Sequence, residues 1–431
     1  MRPARIASTT LLVASIAIGL AAQVRVVPIA KGWSKNQVNT VIFRKNSVTS
    51  FRDNQYVAFY DPDSKVVIAK RKLGSTDWTV TVTDFIGDTR DAHNSISIAI
   101  DGKGFLHLAW GNHNTRLNYA RSTKPGSPEL FERKPMIGQR EGRVSYPEFY
   151  LMPNGDLLFF YRDGESGNGD LVLNRYDARA EKWGRVQDRL IDGENTRNAY
   201  PQIAVDRKGS IHLSWVWRET PDVATNHDLC YARSDDGGQT WRRSNGEKYH
   251  LPVTAKTAEY IWRIPQNSEL INQTSKTADE SGRPYIATYW REQNSKVPQY
   301  RVVYFDGRTW NMSQVGERKT PFTLSGGGTK RIPIARPQIV VDGKRVIVIF
   351  RDAERGSRVS AAICDRLPGC EWRIQDLNET SVGMWEPTLD HNLWSSKREL
   401  HLFVQHIGQG DGEKLEDIQP QMISILEWRP F

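Results

Sequence analysis

HNSISIAIDGKGFLHLAW, from His93 to Trp110, and YPQIAVDRKGSIHLSWVW, from Tyr200 to Trp217, are two copies of one pattern. Each runs through an apolar strand, turns at an Asp followed by Gly, and returns through a second strand that ends on Trp. YPEFYLMPNGDLLFFYR from Tyr146, RPQIVVDGKRVIVIFRD from Arg336 and EPTLDHNLWSSKRELHLFV from Glu386 repeat the scheme, and Asn-Gly or Asp-Gly hairpin turns stand in three of the five copies. Weaker copies lie around Phe51 to Trp78 and Asn272 to Trp310. The starts at His93, Tyr146 and Tyr200 are 53 and 54 residues apart. Seven units along the chain leave roughly 59 residues each, room for a four-stranded blade and a long loop. No later stretch carries a sustained helical period, so the expected fold is all-β, a seven-bladed β-propeller.

The 431 residues hold 59 Lys and Arg against 50 Asp and Glu, a net charge of +9. With 38% hydrophobic and 10% aromatic residues, the chain has apolar surface enough for a packed core and too much for disorder. Arg2 and Arg5, an apolar run from Ile6 to Leu20, and then Ala21-Ala22 follow the order of a secretory signal peptide. Residues 1–22 are therefore expected to be removed, leaving 23–431 as a single secreted or periplasmic propeller of net charge +7 once Arg2 and Arg5 are gone. That surplus of cations favours an anionic partner. Cys364 and Cys370, six apart around Leu367-Pro368-Gly369, could close a small loop in an oxidising compartment, with Cys230 left as a buried thiol.

In a propeller, the entrances of the inner strands and the ends of the second strands gather at one mouth of the central channel. Blade two contributes His93 and Asn94 at its entrance and His113 after its second strand, 20 residues on from His93. Blade three contributes Tyr146 and, 16 residues later, Arg162, followed by a polar loop from Glu165 to Asp170. Blade four adds Arg218 and His227, while its own entrance residue, Tyr200, reads as packing. This set suits an acidic sugar, because Arg pairs a carboxylate through two hydrogen bonds and Tyr and His can move protons. Such chemistry requires no cofactor. No compact set of metal ligands stands in the sequence and no metal is assigned to the site, although a histidine cluster could hold a structural zinc or calcium ion.

Several of these pieces also carry a family likeness: DAHNS with His93, GNHN with His113, VSYPEF with Tyr146, YRDGESGNGD with Arg162, VWRE with Arg218 and NHDLCYARSDDGGQTW with His227. Within the last, Ser234 to Trp241 resembles the Asp-box, a structural hairpin of sialidase-like propellers. Over nearly the whole mature chain, the sequence resembles the BNR-repeat propellers. That group includes the ulvan lyases of polysaccharide lyase families 24 and 25, the rhamnose-glucuronate lyases of family 27, and the rhamnosyl-glucuronate glycosidases of glycoside hydrolase family 145. The resemblance implies β-elimination at a uronic acid, which needs a cation at the carboxylate, a base at C5 and an acid at the C4 oxygen. It implies Arg162, helped by Arg218, as the neutralising cation, and Tyr146 and His113 as base and acid in an order left open. His93, Asn94 and His227 are then expected to hold the substrate. The partner expected is an anionic polysaccharide or oligosaccharide, not nucleic acid or membrane, and the chain is expected to act as a monomer. Two other readings stay open. One is a glycosidase removing rhamnose from rhamnosyl-glucuronate, although the usual pair of carboxylates is not evident at the rims. The other is a carbohydrate-binding propeller without catalysis.

Overall fold

Each repeat pairs as antiparallel hairpins, and successive repeats form seven separate sheets, the blades of a seven-bladed β-propeller. The structure is a computed structural model that describes residues 24–43 and 46–430. The expected signal peptide lies outside the described residues. Blade three shows the plan, with strands Val144–Leu151, Leu157–Glu165, Asn168–Asp177 and Lys182–Ile191 running outward from the channel. Second strands such as Ile211–Arg218 are buried along their whole length because neighbouring blades cover both faces.

The ring closes through its ends. Val24–Gly32 pairs antiparallel with Gln421–Trp428, from Val24 opposite Trp428 to Gly32 opposite Gln421, so the first described strand is the outer strand of the last blade. Blade seven departs from the hairpin expected there. The helix His391–Lys397 replaces the turn, with the Asp390 side chain accepting from the Leu393 amide at 3.0 Å. Its seven residues are too few to show a period in the sequence.

Histidines inside the second strands serve the scaffold. His107 and His212 are both fully buried, each with Nδ1 on a tyrosine hydroxyl at 2.8 Å and Nε2 on an aspartate at 3.2 Å. The tyrosine and aspartate are Tyr119 and Asp101 in blade two, Tyr231 and Asp206 in blade four. Cys364 and Cys370 form a disulfide, and Cys230 is a buried free thiol.

The Asp-box is a closed hydrogen-bonded turn. Ser234 donates to Asp236 at 2.8 Å, the Thr240 amide donates to Asp236 at 2.9 Å, and Trp241 Nε1 donates to the Gly238 carbonyl at 2.9 Å. The Trp241 ring is fully buried in the core between blades three and four. Trp241→Ala should therefore destabilise the propeller by about 3–5 kcal/mol, read by denaturant unfolding, while leaving the channel mouth intact.

Candidate active site

Asp91, two residues before His93, organises the mouth. Its Oδ1 meets Nδ1 of His93 at 2.6 Å and its Oδ2 meets Nδ1 of His113 at 2.7 Å. One carboxylate thus holds both imidazoles, which stack with centroids 4.1 Å apart and planes 16° apart. Glu413, from a blade-seven loop, takes the same His93 nitrogen at 3.0 Å. Burial opposes charge on His93, but Asp91 and Glu413 outweigh it and raise the imidazole pKa to about 9. His113 goes the other way: burial, and then the charge of His93, lower its pKa. At neutral pH the pair is one imidazolium and one neutral ring. With Nδ1 of His113 donating to Asp91, its Nε2 carries the free lone pair.

Tyr146 stands against this pair, its ring 5.8 Å from His93 and 6.0 Å from His113. The backbone sets its direction. Arg162 lies opposite Ser145 and Phe160 opposite Glu148, so Tyr146 and Pro147 together face Tyr161 alone. This is a β-bulge, and Tyr146 sits in it with φ of 55°. Proline suits the bulge because it has no amide to leave unpaired. A left-handed tyrosine inside a strand is strained, and such strain concentrates at functional sites. Burial, and then the neighbouring Tyr200, push the Tyr146 phenol above its ordinary pKa and keep it protonated.

Arg162 lies over the Tyr146 ring at 5.0 Å, and its Nη2 donates to Ser145 Oγ at 3.0 Å. That oxygen also accepts from the Asn114 amide at 2.7 Å, tying Arg162 to the His113 loop. Nη1 of Arg162 is buried without a partner among the described residues, a donor set to meet an anion. Arg218 repeats the arrangement one blade on, 5.4 Å over the ring of Tyr200 and donating to its hydroxyl at 3.2 Å. Burial works against the Tyr200 phenolate, yet Arg218 and Arg162, with hydrogen bonds from Ser166 and Asn198, win and lower its pKa to about 7. Tyr200 therefore belongs to the mouth, 5.9 Å from Tyr146 between ring centroids.

Two other expected residues, Asn94 and His227, are held by local contacts. The Asn94 amide donates to the Asp88 carbonyl at 3.0 Å, holding the entrance loop. His227 lies on the third strand of blade four, its nitrogens on Glu219 at 2.8 Å and Asp228 at 3.1 Å. Sequence reading missed a brace on the far side. Arg336 pairs with Glu386 at 2.7 Å and lies 5.1 Å over Phe43, which stacks on His93 at 5.5 Å. Glu386 also accepts the Ile42 amide at 2.9 Å. The ligand atoms of Asp91, His93 and His113 lie within 4.8 Å of one another and could hold a metal ion. A cation there would have to displace the protons that now join Asp91 to the two Nδ1 atoms.

The model of the BNR repeat-containing family matches residues 54–318, more than half of the chain. The chain belongs to that family. The chain is similar to the long isoform of an ulvan lyase from Alteromonas sp., 27% identical over 180 residues, which are 38% of this chain and 18% of that one. An ulvan lyase from Alteromonas sp. (strain LOR) is 20% identical over 308 residues, 62% of each chain. The chain spans about a fifth to a third of the length of the first curated relatives it matches. Among solved structures, the polysaccharide lyase Uly1 superposes with a TM-score of 0.71 at 15% identity, covering 94% of this chain and 99% of that one. A PL25 ulvan lyase bound to -[GlcA(1-4)Rha3S]- gives 0.68 at 14% identity, covering 93% and 95%. At these identities, the likeness to the solved structures is one of fold.

The acidified phenol is directly measurable. A tyrosinate absorbance band should grow in around pH 7, disappear in Tyr200→Phe, and move to higher pH in Arg218→Met, as removing the cation predicts.

Proposed function

We propose that this protein is a polysaccharide lyase that cleaves a glycosidic bond to a uronic acid by β-elimination. The observation that carries the proposal is the charge arrangement around Asp91: an imidazolium and two guanidinium groups beside one neutral imidazole and one protonated phenol. The family relatives named as ulvan lyases support it. The substrate class is a glucuronate-bearing polysaccharide, as in the oligosaccharide held by the PL25 relative.

A uronate C5 proton becomes acidic only when the adjacent carboxylate is neutralised. Arg162 offers its unpartnered Nη1, and His93 and Arg218 add positive charge. His113 Nε2 takes the C5 proton. The electron pair left behind forms the C4–C5 double bond as the C4–O bond breaks, and the departing oxygen takes a proton from the Tyr146 hydroxyl. In a glucuronate, the C5 hydrogen and the C4 oxygen lie gauche on one side of the ring, so acid and base must stand together, as Tyr146 and His113 do. Tyr200, at a pKa of about 7, is a second group able to accept a proton.

The carboxylates at the mouth do not favour hydrolysis. Burial raises the pKa of Asp91, Glu413, Glu219 and Asp228, but hydrogen bonds from histidine and other partners overcome it and hold all four below their ordinary values. None of these four is set to act as a protonated acid. Export of the mature chain and a monomeric state belong to the same proposal.

The test is ultraviolet absorbance and product mass after incubation with a panel of uronic-acid polysaccharides. A rise from the conjugated double bond, with products one water lighter than hydrolysis gives, is expected. Products that gain water would instead establish the glycosidase, and binding without products the lectin. Tyr146→Phe, His113→Ala and Arg162→Met should each lower kcat by about 10²-fold or more while leaving the fold intact.

A further inference from the structure

Just past His113, the loops on the outer side of blade two enclose a half-open groove of about 330 Å³ lined by Arg116, Arg133, Lys134 and Arg140. Its charges are unequal in their commitments. Arg140 is bound to Asp163 at 2.9 Å and Asp170 at 2.8 Å. Glu141, the acidic residue of the lining, accepts the amides of Ile137 at 2.7 Å, Gly138 at 3.1 Å and Met136 at 3.3 Å. Arg133 donates to the neutral Asn118 amide oxygen at 2.8 Å. Arg116, Arg133 and Lys134 are exposed, and none of the three joins an ion pair among the described residues.

The groove lies a short way along the chain from the channel mouth. Thr115, beside Arg116, exchanges backbone hydrogen bonds with Val144 at 2.8 and 3.3 Å, two residues before Tyr146. At the rise of an extended strand, this puts the groove on the order of 10 Å from Tyr146, a span that a short oligosaccharide covers. Three unpaired cations in one groove attract a fixed anion far more than isolated surface lysines do.

We propose that this groove is a second anion subsite, holding a carboxylate or sulfate ester on the same polysaccharide chain whose uronate occupies the mouth. The assignment of the bound anion to that substrate rests on the lyase reading. The ligand is a polymer charged at more than one sugar, and the groove favours chains over single uronates.

Gel retardation and calorimetry with polygalacturonate, dextran sulfate and neutral dextran test the proposal without relying on turnover. The protein should bind one or both charged polymers and not dextran. Polygalacturonate binding would point to carboxylate, dextran sulfate binding to sulfate ester. In R116A/R133A/K134A the affinity should fall at least tenfold and lose most of its salt dependence. In K65A/K72A/K344A, which removes the same charge from other exposed positions, it should hold. Equal binding by wild type and the groove variant would overturn the proposal, as would equal loss in both triple variants or failure of wild type to bind either charged polymer. Where the elimination is observed, the groove variant should raise KM and keep kcat. Intact groove-dependent binding without any double-bond product would sink the lyase reading alone, and turnover with groove-independent binding would sink the groove alone.

Discussion

One shared carboxylate governs the mouth of this propeller. Asp91 holds the Nδ1 atoms of two histidines from different segments of blade two, and their rings stack. A single negative charge between two imidazoles cannot make both cationic at neutral pH, because each imidazolium repels the other. Glu413 breaks the tie in favour of His93. A cation and a base thereby arise from two identical side chains, and the proposed uronate chemistry depends on that difference.

The propeller makes this possible by bringing distant segments to one opening. Asp91 and His113 are 22 residues apart, but Glu413 lies over 300 residues from His93 and meets it only because the ring closes through Val24–Gly32 and Gln421–Trp428. Phe43, Arg336 and Glu386 brace His93 across that closure. Loosening blade seven should therefore disturb the protonation of a blade-two histidine.

Much of the fold was legible because a repeated strand, Asp-Gly turn and strand leaves a period that survives sequence drift. The helix at His391 was not, since a capped helix of two turns leaves no period and EPTLDHNLWSSK sits where the other repeats have a hairpin. His93, His113, Tyr146, Arg162 and Arg218 could be placed at the mouth from their positions at strand ends. Asp91 stands at the same blade entrance as His93, but its grip on both imidazoles, like the parts played by Glu413, Phe43, Arg336 and Glu386, could not be read, because those contacts depend on the order and spacing of loops. Tyr146-Pro147 and Tyr200-Pro201 read alike. What separates them is a bulge in blade three, a regular register in blade four, and the Arg218 hydrogen bond, none of which the dipeptide encodes.

The split between the two imidazoles is read most directly by an NMR titration of protein labelled at histidine nitrogen, with His93→Gln supplying the assignment. His93 should keep its second proton up to about pH 9 while His113 loses its own below the ordinary histidine range, so that across neutral pH one ring is cationic and the other neutral. Two rings titrating together near pH 6.5, the value of a free imidazole, would contradict it.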